Sequence, residues 1–285
     1  APLSGTTLLH TLLDGHPDIL SIPVENHILD RYNSLKSKGR EHLFMYFLRD
    51  YPFSQDIQLF ADVEYSRYGG ARSVERFGRS GEMPTYSNLN SQTAAQFRTE
   101  YRHFLNQHKI DFNHTHVFHA VCKGLSAAFV TKPCRFFLHR RNMVNETCAL
   151  NLKSDFPNAK FVHIIRDPHT RYLSVKGRRI SKNWFGHKFV NSTLGDDFCS
   201  HRAKVSLYSF LLARRNQEVL QGDYLVVRYE DLIADKKEVM SNIARFIGIP
   251  FEETLLRQTV LDGLPMGTNS SFKGELKNAE HTQQS

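Results

Sequence analysis

Two short apolar runs in the second half of this 285-residue chain constrain its fold more than any other feature. They are Lys160–Ile165 (KFVHII) and Tyr224–Arg228 (YLVVR). Runs of this length with few polar residues are typical of strands buried on both faces, as in a parallel sheet. Helical patterns alternate with these runs, as the crossover connections of parallel strands require. The sequence therefore predicts an α/β protein, a three-layer fold with a central parallel sheet flanked by helices.

Further elements follow from hydrophobic periodicity and from stop signals. Ser4–Asp14 places leucines on one stripe of a helix that stops at Gly15, and Lys236–Ile247 is a helix that stops at Gly248. Other helices are expected at residues 92–108, 145–155, 169–179 and 203–221, and short strands at 117–122 and 136–139. Much of 30–115 is polar and aromatic and is hard to assign.

A small hydroxyl-rich turn, Ser4-Gly5-Thr6-Thr7, stands directly before the leucine-rich helix. The N-terminus of a helix presents backbone N–H groups and a partial positive charge, so this turn is a candidate anion cradle of P-loop-like character. Thr6 stands where an ATP-type loop has lysine, which favours a shorter anion with no required metal. The alternative is a simple helix cap. Because a phosphate loop normally follows a buried strand, the first strand is expected upstream of residue 1.

A second candidate anion site lies at the end of the first apolar run. Arg166 follows that predicted strand directly, at the edge where α/β sheets bind ligands, and its guanidinium can hold a phosphate with two hydrogen bonds. Ser174 lies on the next predicted helix and can donate to the same anion. The alternative is an Arg166–Asp167 ion pair that closes the strand.

Four segments together resemble the sulfotransferase family that uses 3′-phosphoadenosine 5′-phosphosulfate (PAPS), in its bacterial and tyrosylprotein-type branch. They are SGTT with the later HPD (4–7 and 16–18), FPNAKF with HIIRDP (156–161 and 163–168), VRYEDL (227–232) and GTNSSFKG (267–274). The resemblance implies a single sulfotransferase domain over 1–285, in which 30–115 recognises the acceptor. It also implies transfer of a sulfonate group from PAPS to an acceptor hydroxyl, leaving adenosine 3′,5′-bisphosphate.

The resemblance also implies roles for individual residues. Ser4, Gly5, Thr6 and Thr7 would hold the 5′-phosphosulfate, and Arg166 and Ser174 the 3′-phosphate. Further nucleotide contacts would come from Arg178, from Tyr229 near the adenine, and from a late loop with Asn269, Ser270, Ser271, Phe272 and Lys273. Glu25 lies within one residue of the position of the family's catalytic base, and neighbouring His27 is the second choice.

Residue 3 departs from the family pattern. The family usually has Lys or Arg directly before SGTT, and this chain has Leu3. A cation there would stabilise charge on the leaving phosphate. The candidates to replace it are Lys123, Arg140 and Arg141. Leu3 also keeps open the alternative of a degenerate, sulfotransferase-like protein that binds nucleotides or acidic glycans. A P-loop kinase is the weaker alternative, because the chain lacks Gly-Lys-Ser/Thr at the turn.

Charge and composition limit the classes of ligand that are expected to bind. The net charge of +8 and a pI of about 9.3 suit a polyanionic ligand. Basic residues cluster at 135–141 and 166–182, beside the proposed nucleotide residues, and a basic stripe interleaved with aromatic residues, as expected for nucleic-acid binding, is not evident. The expected partners are PAPS and a hydroxyl acceptor, which could be a carbohydrate, a tyrosine or a small alcohol.

The sequence also predicts features that the chain should lack. The four cysteines form no CxxC pair, so no zinc site is expected from them. No apolar run is long enough to span a membrane. The expected location is the cytoplasm, or the Golgi lumen if a eukaryotic anchor lies upstream.

Overall fold

A computed structural model describes residues 5–21, 28–50, 91–129, 134–140, 147–171, 193–260 and 264–265. The helices in these ranges are α1 (Thr6–Leu13), α2 (Ile28–Leu35), α3 (Arg40–Met45), α4 (Ser91–Gln107), α5 (His114–Phe129), α6 (Ala149–Asp155), α7 (Thr193–Leu220), α8 (Tyr229–Ala234) and α9 (Lys236–Ile247). The strands are β1 (Ile19–Ser21), β2 (Phe136–Leu138), β3 (Phe161–Ile165), β4 (Tyr224–Arg228), β5 (Thr259–Val260) and β6 (Leu264–Pro265). None of the helices just given combines the length and the apolar character that crossing a membrane requires.

The chain divides into two compact units, each built from separate stretches of sequence. The first unit contains residues 1–9, 142–251 and 268–285, and the second contains 10–141 and 252–267. β3 pairs in parallel with β4 in the first unit, and β1 pairs in parallel with β2 in the second, where β5 and β6 also form an antiparallel pair. The predicted α/β class with parallel strands is confirmed. Among the described residues the strands form three two-stranded sheets instead of one continuous sheet. The single-domain prediction stays a prediction.

The parallel pair of the first unit runs in register from Phe161 opposite Tyr224 to Ile165 opposite Arg228. The bounds of both strands were predicted to within one residue. A strand that is covered on both faces needs apolar side chains at nearly every position, and such a run is easy to recognise. His163 provides the polar exception: its Nδ1 lies 2.9 Å from the Tyr224 hydroxyl and its Nε2 lies 2.9 Å from the Ser209 hydroxyl on α7. This buried chain of hydrogen bonds fastens α7 to both strands.

Helix α9 has the predicted boundaries because its ends are encoded locally. The Asp235 carboxylate accepts a hydrogen bond from the N–H of Glu238 at 2.9 Å, as an N-cap does. Gly248 ends the helix in the left-handed region at φ 90°. Between these caps, Met240, Ile243 and Ala244 form the buried face of the helix.

The second unit is organised around helices α4 and α5. Gly124 on α5 lies so close to Phe97 on α4 that an added Cβ would come within 2.7 Å of the Phe97 ring. The prediction of a strand at 117–122 was wrong, because these residues lie inside α5. Val117, Val121 and Leu125 are fully buried at the four-residue spacing of one helix face. A short apolar run does not by itself distinguish a strand from a buried helix.

Candidate functional site

The predicted anion-binding turn lies at the start of α1. Gly5 has φ 95°, and its carbonyl accepts a hydrogen bond from the N–H of Leu9 at 2.9 Å, so Gly5 is the residue that opens the helix. The N–H groups of a helix's first turn point out of its N-terminus, towards the positive end of the helix dipole. Thr6 and Thr7 form that first turn, and both are half-buried. Ser4 lies outside the described residues.

Gly5 packs directly against the ends of β3 and β4. A Cβ added at Gly5 would overlap the ring of Tyr229 at Cδ2, lie 2.9 Å from its Cε2 and lie 3.1 Å from Cδ1 of Ile164. Tyr229 is the residue that follows β4, and Ile164 is the penultimate residue of β3. The turn therefore reaches the carboxyl edge of the parallel pair, where α/β proteins place their ligands.

Arg166 lies on the same edge and contacts the same tyrosine. It follows β3 directly, and its guanidinium carbon lies 4.5 Å from the centroid of the Tyr229 ring, as in a cation–π contact. Arg166 and Tyr229 are both half-buried. Tyr229 therefore lies against both Gly5 and Arg166, the two places where the sequence predicted anion binding.

Two neighbouring carboxylates fix the loop that carries Arg166. Glu230 Oε1 accepts a hydrogen bond from the N–H of Asp167 at 3.0 Å, which ties the end of β3 to the end of β4. The Asp167 side chain accepts a hydrogen bond from the N–H of Thr170 at 2.8 Å and so caps the helical turn at 168–171. Pro168 opens that turn, where its fixed φ is favourable. Arg166 therefore lies between strand β3 and Asp167, which is held through both its N–H and its carboxylate.

The structure brings part of the predicted site together. Gly5, Thr6, Thr7, Arg166 and Tyr229 lie in the first unit, and the contacts of Tyr229 connect the turn with the arginine. The hydrogen bond from the Asp167 N–H to Glu230 is an addition to the predicted site. The predicted site residues outside the described ranges are Ser4, Glu25, His27, Ser174, Arg178, Asn269, Ser270, Ser271, Phe272 and Lys273.

The three basic residues proposed to replace the cation that is missing at position 3 belong to the second unit. Lys123 is exposed on α5, and Arg140 is buried shortly after β2. Arg141 lies outside the described residues. Their role in charge stabilisation stays a prediction.

We expect Gly5→Ala to destabilise the protein far more than Gly248→Ala. The new Cβ would meet the Tyr229 ring at a backbone angle that side chains rarely adopt, which should cost about 2–4 kcal/mol of folding stability or displace Tyr229. Gly248→Ala is the matched control, because its φ is 90° and its Cβ would meet nothing within 4 Å. Thermal melts and bisphosphate titrations check this, and equal effects of the two variants would contradict the close contact.

Comparison with known proteins identifies relatives by sequence and by structure. A model of the sulfotransferase family matches residues 1–253. A search of curated proteins gave no match. The sulfotransferase domain from the Synechococcus PCC 7002 olefin synthase is 19% identical, with 93% of this chain and 76% of that chain covered, at a TM-score of 0.53. The sulfotransferase domain from the curacin biosynthetic pathway is 17% identical, with 98% and 83% covered, at a TM-score of 0.48. At 19% identity, the similarity to the olefin synthase domain supports the fold alone.

Proposed function

This chain belongs to the sulfotransferase family, and we propose that it transfers the sulfonate group of PAPS to the hydroxyl of an acceptor. The observation that carries the proposal is the contact of one aromatic ring, Tyr229, with both the Gly5 turn and Arg166. A nucleotide with anions at two separate positions requires two anion-binding places on one surface. The Gly5 turn and Arg166, at the carboxyl edge of β3 and β4, are the proposed pair.

Each half of the site suits one end of PAPS. At Gly5 no side chain keeps a ligand away from the backbone, and the turn adds backbone N–H groups and the hydroxyls of Thr6 and Thr7. This combination suits the 5′-phosphosulfate. Arg166 can hold the 3′-phosphate through two parallel charge-assisted hydrogen bonds. Ser174, Arg178 and the 269–273 loop complete the nucleotide site by resemblance to the family. Tyr229 packs against both Gly5 and Arg166 and so supports the two proposed anion-binding places from between them. The predicted position of Tyr229 near the adenine stays a prediction.

The proposed reaction is an in-line displacement at sulfur. The acceptor oxygen forms a bond to sulfur while the bond between sulfur and the bridging phosphate oxygen breaks, and both electrons of that bond leave with adenosine 3′,5′-bisphosphate. Glu25 accepts the proton of the acceptor hydroxyl, with His27 as the second choice for this role. The products are the sulfated acceptor, the bisphosphate and one proton. Transfer of a sulfonate group in this way needs no metal ion.

Negative charge develops on the leaving phosphate, and this chain must stabilise it without a basic residue at position 3. The N-terminus of α1 supplies a fixed partial positive charge at the turn. Lys123, Arg140 and Arg141 remain the proposed sources of a full charge. If none of them acts, the chain is the degenerate nucleotide-binding relative that Leu3 suggests.

Transfer of radiolabelled sulfonate from PAPS tests the proposal. The purified chain is incubated with labelled PAPS in EDTA and with a panel of carbohydrate, tyrosine-peptide and small-alcohol acceptors. We expect a labelled product with at least one acceptor class, and no phosphate transfer from labelled ATP in a parallel assay with Mg²⁺. Phosphate transfer from ATP would support the kinase alternative. Tight bisphosphate binding without sulfonate transfer to any acceptor would support the degenerate one.

A further inference from the structure

Three potential metal ligands meet in the turn between helices α4 and α5, in the second unit. His108 follows α4, Asp111 lies in the turn, and His116 lies in the first turn of α5. His108 Nδ1 is 3.5 Å from Asp111 Oδ1, and His116 Nε2 is 3.6 Å from Asp111 Oδ2. One ligand atom from each of the three residues lies within 4.8 Å of the other two.

The two separations of 3.5 and 3.6 Å, each to a different oxygen of Asp111, are close to the spacing of ligands around one small divalent ion. Ligands at about 2.1 Å from a tetrahedral zinc lie about 3.4 Å from one another. Two imidazole nitrogens and one carboxylate oxygen suit zinc and similar transition metals, whereas calcium and magnesium prefer oxygen ligands alone. We propose that His108, Asp111 and His116 bind one Zn²⁺, with a water molecule in the fourth position. This proposal does not depend on the proposed sulfonate transfer.

The turn between α4 and α5 places the three side chains next to one another. The rings of His108 and His116 stack with their centroids 4.3 Å apart and their planes 13° apart, and each ring has a nitrogen near one oxygen of Asp111. A metal ion lies in the plane of each imidazole that binds it, so one of the two stacked rings must turn before both can bind the same ion. The Asn113 side chain accepts a hydrogen bond from the N–H of Thr115 at 2.8 Å and so caps α5. The side chains of Asp111, His108 and His116 are 64%, 34% and 13% exposed, which lets an ion enter from solution.

Binding requires one rearrangement at His116. Its Nδ1 accepts a hydrogen bond from the N–H of Asn113 at 3.2 Å, so in the neutral ring the proton lies on Nε2 and faces Asp111. Zinc takes the place of that proton, and the His116 ring turns out of the stack until its plane contains the ion. The ring is then protonated at Nδ1, which donates to water and no longer accepts from Asn113. The exchange gives up one neutral hydrogen bond, which lowers the affinity about fivefold to tenfold and does not cancel three metal–ligand bonds.

Residues of both helices surround the cluster. Phe104 of α4 packs against the rings of His108 and His116, at 4.6 and 6.5 Å between centroids. His119, one turn further along α5, also contacts the Phe104 ring. Zinc at this turn would therefore join the ends of α4 and α5. The sequence signal is His-x₂-Asp-x₄-His, which a search for paired cysteines does not detect.

Zinc titration of the chelator-treated, fully reduced chain tests the proposal. By calorimetry we expect one zinc ion bound per chain with an affinity that falls at least about 100-fold in His116→Ala, since a ligand is lost. Asp111→Asn is the second variant, because this exposed side chain can change with little effect on folding. Co²⁺ should give the visible absorption of a four-coordinate site in the unaltered chain and lose it in both variants.

His103→Ala is the matched control. This exposed histidine lies on α4, and its Nε2 is 3.0 Å from the Gln107 side chain. We expect its zinc affinity to equal that of the unaltered chain, and zinc to raise the melting temperature of both. Zinc affinity that is unchanged in Asp111→Asn and His116→Ala, or no zinc binding by the unaltered chain, would overturn the proposal.

Discussion

Arg166→Ala is expected to weaken binding of adenosine 3′,5′-bisphosphate about 100- to 10,000-fold. The guanidinium is proposed to give two hydrogen bonds to the 3′-phosphate, and bonds to charged groups contribute about 1.5–3 kcal/mol each. Arg166→Lys should recover part of this loss, since lysine keeps the charge but not the paired geometry. Adenosine 5′-phosphate, which lacks the 3′-phosphate, should bind the unaltered chain and Arg166→Ala with similar affinity. Calorimetric titration with both nucleotides measures these differences.

The control for Arg166 must remove the same charge from a nearby strand end. Arg228 is the last residue of β4, is exposed and pairs in register with Ile165. Arg228→Ala should change bisphosphate affinity by less than about threefold, because an exposed charge that contacts neither phosphate contributes little in water. Since Arg166 also packs on Tyr229, melting curves are needed to show that Arg166→Ala folds. Equal losses in Arg166→Ala and Arg228→Ala would mean that general charge, and not a phosphate grip, explains the binding.

Glu25→Gln is expected to lower kcat for sulfonate transfer about 100- to 10,000-fold, which is the range that a general base contributes. The amide cannot accept the proton of the acceptor hydroxyl. It keeps the size of the side chain, so bisphosphate affinity should stay within about twofold. Single-turnover transfer from labelled PAPS measures the chemical step, and a nucleotide titration of the same variant measures binding.

His27→Ala is the companion variant to Glu25→Gln. If Glu25 is the base, His27→Ala should retain most of the activity. A large loss in His27→Ala with little change in Glu25→Gln would transfer the role to the histidine. If neither variant loses more than about fivefold in kcat, the proposed base is wrong, whereas the proposal for nucleotide binding would stand.

The predictable parts of the fold are those whose signals are local. α9 carries its own N-cap and C-cap, and the strands β3 and β4 are apolar on both faces, so their bounds follow from the sequence. The run at 117–122 was misassigned because its helical period appears only when Leu125, beyond its end, is included. Helices α2 and α3 were not assigned, since their buried residues, such as Leu43 and Phe44, are few and lie among polar ones.

The candidate site was predictable in its residue types and not in its contacts. Arg166 and the Gly5 turn could be chosen because arginine after a buried strand and glycine before a helix have recognisable chemistry. Tyr229 was assigned to the adenine by resemblance, but its contact with both Gly5 and Arg166 depends on how the two strand ends meet α1. The link from Glu230 to Asp167 joins residues 63 positions apart, and local patterns do not report such contacts.

A crystal structure of the chain with adenosine 3′,5′-bisphosphate tests the central claim most directly. The account predicts that the 5′-phosphate lies against the backbone N–H groups at Gly5–Thr7 and that the 3′-phosphate accepts two hydrogen bonds from Arg166, with Tyr229 between them. A bisphosphate bound with its phosphates exchanged, or bound away from Tyr229, would contradict it.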